Sequence, residues 1–277
     1  MSLAISSDLT TPLATGGVLD RNKQETQRQW NTDPCGAETV SDRIETGSCE
    51  FYREARRHRY AVYGPWFDSV MQFDTVQGQR VLEIGVGVGS DHFRFARNRN
   101  VMTALDLSRE HLRHTTRHLA LEGLSTEPLL GDAEQLPFES GRFDVVYTFG
   151  VLHHTTDIQR ALSEVHRVLR PGGFALVGLY HRDSFYFWIQ KVLVEGVLKG
   201  GFIRRGYRGV MSTVEFRRDR DSATPLVRVF SRRQVRRLFR HWQSTSIRTC
   251  HVEPAHLHRL GRFLKGWSSR MLKFERS

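Results

Sequence analysis

Gly85, Gly87 and Gly89 stand at alternate positions directly after the apolar run Val81-Leu82-Glu83-Ile84, and a helix is predicted from His92 to Asn98. A buried strand running into a tight turn and a helix start has this pattern. Glycine permits the turn's dihedrals and lets a ligand approach the backbone without meeting a Cβ. The N–H groups of a helix start attract a polar or anionic group. A dinucleotide fingerprint would place its third glycine at position 90, which is Ser90. A second short run, Val101 to Asp106, ends in a carboxylate 21 residues after Gly85. In a βαβ unit such an acid lies at the carboxyl edge of the neighbouring strand, where it can accept both hydroxyls of a ribose. A further run, Leu129 to Asp132, also ends in an acid. Nucleoside binding is the chemistry these residues suit. The adjacent imidazoles of His153 and His154 add a group able to take a proton near neutral pH.

The elements that must position these residues alternate. Strands are expected at Arg80–Ile84, Val101–Asp106, Pro128–Gly131, Phe143–Phe149 and Phe174–Leu179, the last after the turn Arg170-Pro171-Gly172-Gly173. Helices are expected at His92–Asn98, Arg109–Glu122 with Ser108 as N-cap, and Ile158–Leu169. Such alternation requires a parallel sheet with right-handed crossovers and helices on both faces. Ligands in these sheets sit at the carboxyl ends of the strands.

The ordered segments VLEIGVGVGSD, ALDLS, GDAEQLPFESGRFDVVYTFGVLHHTTD and ALSEVHRVLRPGGFALV resemble the class I S-adenosylmethionine-dependent methyltransferases. The similarity is to the small-molecule branch that contains the ubiquinone/menaquinone-biosynthesis methylases, and it covers about residues 78–182. It implies an α/β Rossmann-like, doubly wound, mostly parallel seven-stranded sheet with helices on both faces and a helical lid. It also implies S-adenosylmethionine as cofactor and no metal. By resemblance, Gly85, Gly87 and Gly89 back the methionine portion and ribose, and Glu83 steers the amino group. Asp106 takes the ribose hydroxyls, Leu107 lies against the adenine, and Asp132 with Ala133 meets the adenine edge. Phe149 and Gly150 end the fourth strand beneath the sulfonium. Either His153 or His154 then stands near the transferring methyl as a general base, and the residues alone do not choose between them. Tyr180 and His181, at the end of the fifth strand, are a second candidate pair for the acceptor side.

Around this core, at residues 78–182, the chain divides into four further parts. Residues 1–29 are polar and without periodicity, and are expected to be a flexible arm. Residues 30–77 form a helical lid, with Glu50 to Phe73 amphipathic and broken at Gly64-Pro65. In the resembling family this segment closes over cofactor and acceptor, which makes Trp30, Tyr60 and Tyr63 substrate-facing candidates. Residues 183–227, with the aromatic stretch Ser184 to Leu198, are an inserted substrate lid. Residues 228–277 are a basic part completing the sheet: a helix at Ser231–Arg240, a late strand at Trp242–Cys250 and a terminal amphipathic helix carrying Phe263 and Trp267.

The net charge is +11, carried by 36 arginines and five lysines against 30 acids. Residues 201–277 alone hold 19 basic and five acidic side chains. Such asymmetry calls for an acidic counterpart: an anionic metabolite, an anionic membrane surface or nucleic acid. Nucleic acid is disfavoured because no base-reading motif is present. The place of an Asn- or Asp-Pro-Pro-Tyr/Phe element reads Thr148-Phe149-Gly150-Val151, and Cys35 precedes the glycine loop rather than following the fourth strand. A peripheral membrane contact would use the arginines of 232–240 and the terminal helix. Three cysteines make neither a metal-ligand spacing nor a disulfide framework. There is no run of 18 or more apolar residues and no basic leader in Met1 to Gly17, which reads as cytoplasmic. The expected function is methyl transfer to a small-molecule acceptor, anionic or lipophilic. The alternatives are an RNA or protein methyltransferase working through the basic C-terminal surface, or a non-catalytic binding protein on the same fold. The intact glycines and acids argue against the last.

Overall fold

The computed structural model describes residues 20–184, 186–211 and 225–250. Helix α1 (Arg21–Thr32) comes first, its N-terminus capped by the Asp20 carboxylate accepting from the Lys23 N–H. Of the arm expected over residues 1–29, the part from Arg21 is helical, and residues 1–19 lie outside the described residues. The segment is helical because Lys23, Gln27 and Trp30 fall at i, i+4 and i+7, giving one face for docking. Helices α2 (Cys49–Tyr63) and α3 (Pro65–Met71) follow, separated at Gly64 (φ 69°), as the Gly-Pro pair predicts.

The sheet has five parallel strands: β1 (Arg80–Ile84), β2 (Val101–Asp106), β3 (Glu127–Leu130), β4 (Phe143–Phe149) and β5 (Leu169–Gly178). Their order is β3-β2-β1-β4-β5, so the direction of winding reverses between β1 and β4. Helices α4 (Ser90–Ala96), α5 (Arg109–Leu121, capped by Ser108) and α6 (Ile158–Val168) are the crossovers. Side chains alternate across the sheet. Leu82, Ile84, Leu105 and Val146 pack with Ala161, Leu162 and Val165 of α6 on one face. Val81, Met102, Val145 and Tyr147 pack with Phe67, Phe73, Phe95 and Leu119 on the other. Burial on both faces is what a parallel sheet requires.

The expected seven strands are five among the described residues. Trp242–Cys250, expected as a late strand, runs without strand pairing. In Gln243-Ser244-Thr245-Ser246-Ile247 only one residue is apolar, which leaves little to bury against β5. A single parallel bridge between His181 and Phe230 is what continues the sheet at that edge. After β5 come a wide π-type helix, Tyr186–Leu198, then α7 (Gly201–Met211), kinked at Gly206, and the short α8 (Arg232–Leu238). The expected terminal amphipathic helix lies outside the described residues, as does part of the 183–227 insertion. No described helix is long and apolar enough to cross a membrane.

Candidate active site

β1 delivers the glycine loop to the carboxyl edge of the sheet. Gly85, Gly87 and Gly89 have φ of 79°, 54° and 79°, conformations that side chains with a Cβ seldom adopt. At Gly87 a Cβ would also come within 3.0 Å of the Cys35 carbonyl. That carbonyl accepts from the Val88 N–H at 3.2 Å, so the loop 33–36 lies on the glycine turn. Three more N–H groups of the turn bond within the chain: Gly85 donates to Leu105, Gly89 to Val86, and Val86 to the Asp106 carboxylate at 2.8 Å.

Asp106 ends β2 and holds the site together. Its Oδ1 accepts from the Ser108 N–H, and its Oδ2 accepts from Val86 and from His111 Nδ1 at 3.0 Å. His111 Nε2 in turn accepts from the Cys35 N–H, which fixes Nδ1 as the protonated nitrogen. A carboxylate has about four lone-pair sites, and three are taken here. Asp132 follows β3 at the same edge. Lys23 of α1 reaches both Asp132 and Glu134 at 2.7 Å, Gln27 donates to the Leu107 carbonyl at 2.8 Å, and Trp30 lies against His111. Ala133 is buried beside them. One face of α1 thus rests on Asp132, Leu107 and the Asp106 relay, three of the expected cofactor positions.

Glu83 is buried and bonded to His92 Nδ1 at 2.9 Å. His92 Nε2 meets Thr126 Oγ1 at 2.8 Å, and that hydroxyl donates to the Met102 carbonyl. Thr126 must then accept from Nε2–H, which leaves Nδ1 as acceptor and gives the proton to Glu83. The electrostatics agree: burial, then the Asp91 charge, hold the Glu83 carboxyl well above its usual range, and burial pulls His92 down to about 3. A neutral carboxyl cannot steer an ammonium by charge. In this arrangement the Glu83 carboxyl is bonded to His92.

A second buried cluster was not read from the sequence. Asp91, in the first turn of α4, accepts from Arg59 Nε at 2.8 Å and from Nη2, and from the Tyr147 hydroxyl at 2.6 Å. The Tyr60 hydroxyl lies 3.0 Å from both Asp91 Oδ1 and the Ser90 carbonyl. Tyr60, expected to face substrate, is therefore a strut between α2 and the glycine loop. Tyr63 stacks on Phe67 at 4.7 Å, meets Phe149 edge-on at 5.3 Å and borders the large cleft on the acceptor side. The Arg59 guanidinium lies 5.5 Å from the Phe149 ring.

On the acceptor side a 3₁₀ turn, Leu152–His154, follows Gly150 and Val151. His153 is fully buried, stacked on Tyr180 at 3.8 Å and 4.2 Å from the His154 ring. His154 meets the Trp30 ring edge-on at 5.9 Å, and its Nδ1 donates to the Leu226 carbonyl at 2.7 Å. The segment 225–230 is pinned there by Arg228, whose N–H donates to the His153 carbonyl and whose guanidinium donates to those of Thr155 and Thr156. Trp30, His154, His153 and Tyr180, distant in sequence, form one file of rings. A cleft of about 1830 Å³ opens beside it, lined by Tyr63, Trp66, Phe149, Tyr180, His181 and Phe187.

Lys23, Gln27, Arg59, Asp91 and Leu226 escaped the sequence reading. The i, i+4, i+7 spacing of Lys23, Gln27 and Trp30 was the one signal for the first two. An ion pair across 32 positions such as Arg59–Asp91 leaves none.

The family model described as a methyltransferase domain matches residues 82–177. These residues form a class I S-adenosylmethionine-dependent methyltransferase domain. An uncharacterized methyltransferase of Synechocystis sp. is 34% identical over 125 residues, which is 44% of this chain and 57% of that protein. The ubiquinone/menaquinone biosynthesis C-methyltransferase of Ruegeria sp. is 29% identical over 167 residues, covering 55% of this chain and 66% of that protein. The chain thus spans 57% to 66% of the length of these two curated relatives. A putative methyltransferase from Bacillus halodurans, a solved structure, aligns with a TM-score of 0.48 at 23% identity, over 64% of this chain and 68% of that one. The cofactor the methyltransferase domain implies is S-adenosylmethionine. Two acids at adjacent strand ends, a turn with glycine at every second position and an aromatic wall suit a nucleoside with a charged tail.

Proposed function

We propose that this protein transfers a methyl group from S-adenosylmethionine to a small metabolite, lipophilic or anionic, with His154 as general base. The observation that carries the choice of base is the 2.7 Å bond from His154 Nδ1 to the Leu226 carbonyl. A carbonyl only accepts, so Nδ1 carries a proton, and Nε2 is the nitrogen of this ring that would act as the base. His153, fully buried beneath Tyr180, serves as packing. Asp106 would give its remaining lone pair to the ribose, with Leu107, Asp132 and Ala133 around the adenine. Phe149 and Gly150 would lie near the sulfonium, and Gly85, Gly87 and Gly89 behind the tail. The cofactor supplies an activated methyl on sulfur. The chain's part is to hold the acceptor in line with it, exclude water and remove a proton where the acceptor has one to lose.

The cleft supports the acceptor class. The groove runs the length of β5, and at its carboxyl end Tyr63, Trp66, Phe149 and Tyr180 form an aromatic stretch that suits a ring-bearing lipophilic molecule. Tyr180 and His181 would meet the acceptor from the end of β5. The Ruegeria relative, named for ubiquinone/menaquinone biosynthesis, favours the same class. Methyl-labelled cofactor incubated with metabolite pools and read by mass spectrometry tests the proposal. Label in a small molecule is expected, and label appearing only in RNA, DNA or protein would overturn it.

A further inference from the structure

The helical hairpin after β5 presents its apolar side outward. Seven of the ten large apolar side chains exposed among the described residues lie in it. In the π-type helix, i→i+5 bonding places residues five apart on one stripe, and the Lys199 N–H donates to the Val194 carbonyl in that register. The stripe is Trp188, Leu193 and Leu198, exposed by 52%, 43% and 71%. On the other side Phe187, Lys191 and Gly196 are buried. In α7, Ile203 is 93% exposed and Tyr207 56%. A helix docked on a soluble core normally turns polar residues to water; this one carries apolar residues there.

The arrangement is built rather than loose. A Cβ at Gly196 would run into the Phe202 ring, and one at Gly201 into the Glu195 carbonyl. The two helices therefore pack through glycines, and the outward stripe is held in place. Around it basic side chains outnumber acids, with Lys199 paired to Glu195 at 2.7 Å and Arg208 to Glu25 at 3.2 Å. Residues 186–211 contain Lys191, Lys199, Arg204, Arg205 and Arg208 against a single acid, Glu195. Lys199, Arg204, Arg205 and Arg208 are exposed beside the apolar crest.

We infer that this hairpin docks the protein on an anionic lipid bilayer, with Trp188, Leu193, Leu198 and Ile203 entering the headgroup region and the arginines meeting lipid phosphates. Apolar and aromatic side chains flanked by arginine and lysine are what an interfacial segment needs, since burial in the acyl boundary and attraction to anionic lipid add. A protein partner covering the same stripe would not call for the excess of positive charge that Arg204 and Arg205 leave beside it. Phe187 and Lys191 on the buried side of the same helix line the acceptor cleft, whereas the docking face is the outward stripe and does not rest on the methyl-transfer reading.

The test is flotation of the full chain with phosphatidylcholine vesicles, with and without phosphatidylglycerol, alongside L193E, I203E and the double variant R204E/R205E. Retained S-adenosylmethionine binding serves as the check that each variant is folded. Binding to the phosphatidylglycerol vesicles is expected. Each apolar variant should abolish most of it, and the charge reversal should weaken it about tenfold or more. Trp188 fluorescence should shift to the blue on binding, a signal lost in W188F. Equal binding to neutral vesicles, no binding to either, or a self-association that L193E abolishes without any vesicle binding would overturn the inference.

Discussion

His154 has one nitrogen committed to the Leu226 carbonyl, and this separates it from its neighbour His153. The amino-acid order treats the two alike. Only the returning segment 225–230, brought in by Arg228 and the Phe230 pairing with Tyr180, makes them different. General-base catalysis contributes about 10²- to 10⁴-fold. Replacing His154 with Gln is therefore expected to lower kcat about 100-fold or more and leave the cofactor Kd within a factor of about two. Steady-state kinetics on an acceptor that must lose a proton, with calorimetry of cofactor binding, reads both. An unchanged kcat would move the base elsewhere, with His181 at the end of β5 the next candidate.

At the scale of elements, the lid helix α2 is tied to the glycine loop through one carboxylate. Asp91 is buried and accepts from Arg59, Tyr147 and Tyr60, so its removal strands a guanidinium and two phenols at once. Breaking a buried, hydrogen-bonded ion pair costs about 3–5 kcal/mol. Asp91→Ala should lose about that much in urea denaturation, and a loss under about 1 kcal/mol would show that water replaces the pair. The strands and crossovers around this cluster were legible because apolar runs and turn residues state them locally: β1, β2 and β4 begin and end where the sequence puts them. Asp106 and Asp132 were legible for the same reason, each closing an apolar run. The helix over residues 21–32 was not, since its face is polar and its partners are acids more than 100 positions away. The late strand at 242–250 failed for the opposite reason, a local reading that no burial supports. Tyr60 and Glu83 show the limit at single residues. Their types suggested substrate and cofactor, and nothing in the sequence signalled their bonds to Asp91 and His92.

For the whole molecule, buried histidines set the acid limit. Burial pulls His92 down to about 3; burial, then nearby cations such as Arg113 and Arg56, pull His114 and His118 to about 4. Each stays neutral when folded and takes a proton on unfolding anywhere between its folded value and the ordinary histidine value near 6.5. Their stability contribution is therefore present above about pH 6.5 and lost as pH falls toward 4. Glu83, raised above the carboxylate range, acts in the opposite sense, since it holds a proton that the unfolded chain releases. Three histidines outweigh one carboxyl, so unfolding near pH 5.5 takes up roughly two protons. Thermal denaturation should show stability falling by on the order of 3 kcal/mol between pH 7 and pH 5. A flat profile would mean that these rings are solvated.

The central claim is that the crevice at the ends of β1, β2 and β3 holds S-adenosylmethionine, with Asp106 on the ribose. Titration calorimetry of the full chain with S-adenosylmethionine and with its demethylated product, on wild type and Asp106→Ala, tests it most directly. Saturable one-site binding of both is expected, weakened by about 1.5–3 kcal/mol in the variant through the loss of charge-assisted hydrogen bonds. Absence of binding by the wild type, or equal affinity in the variant, would contradict it.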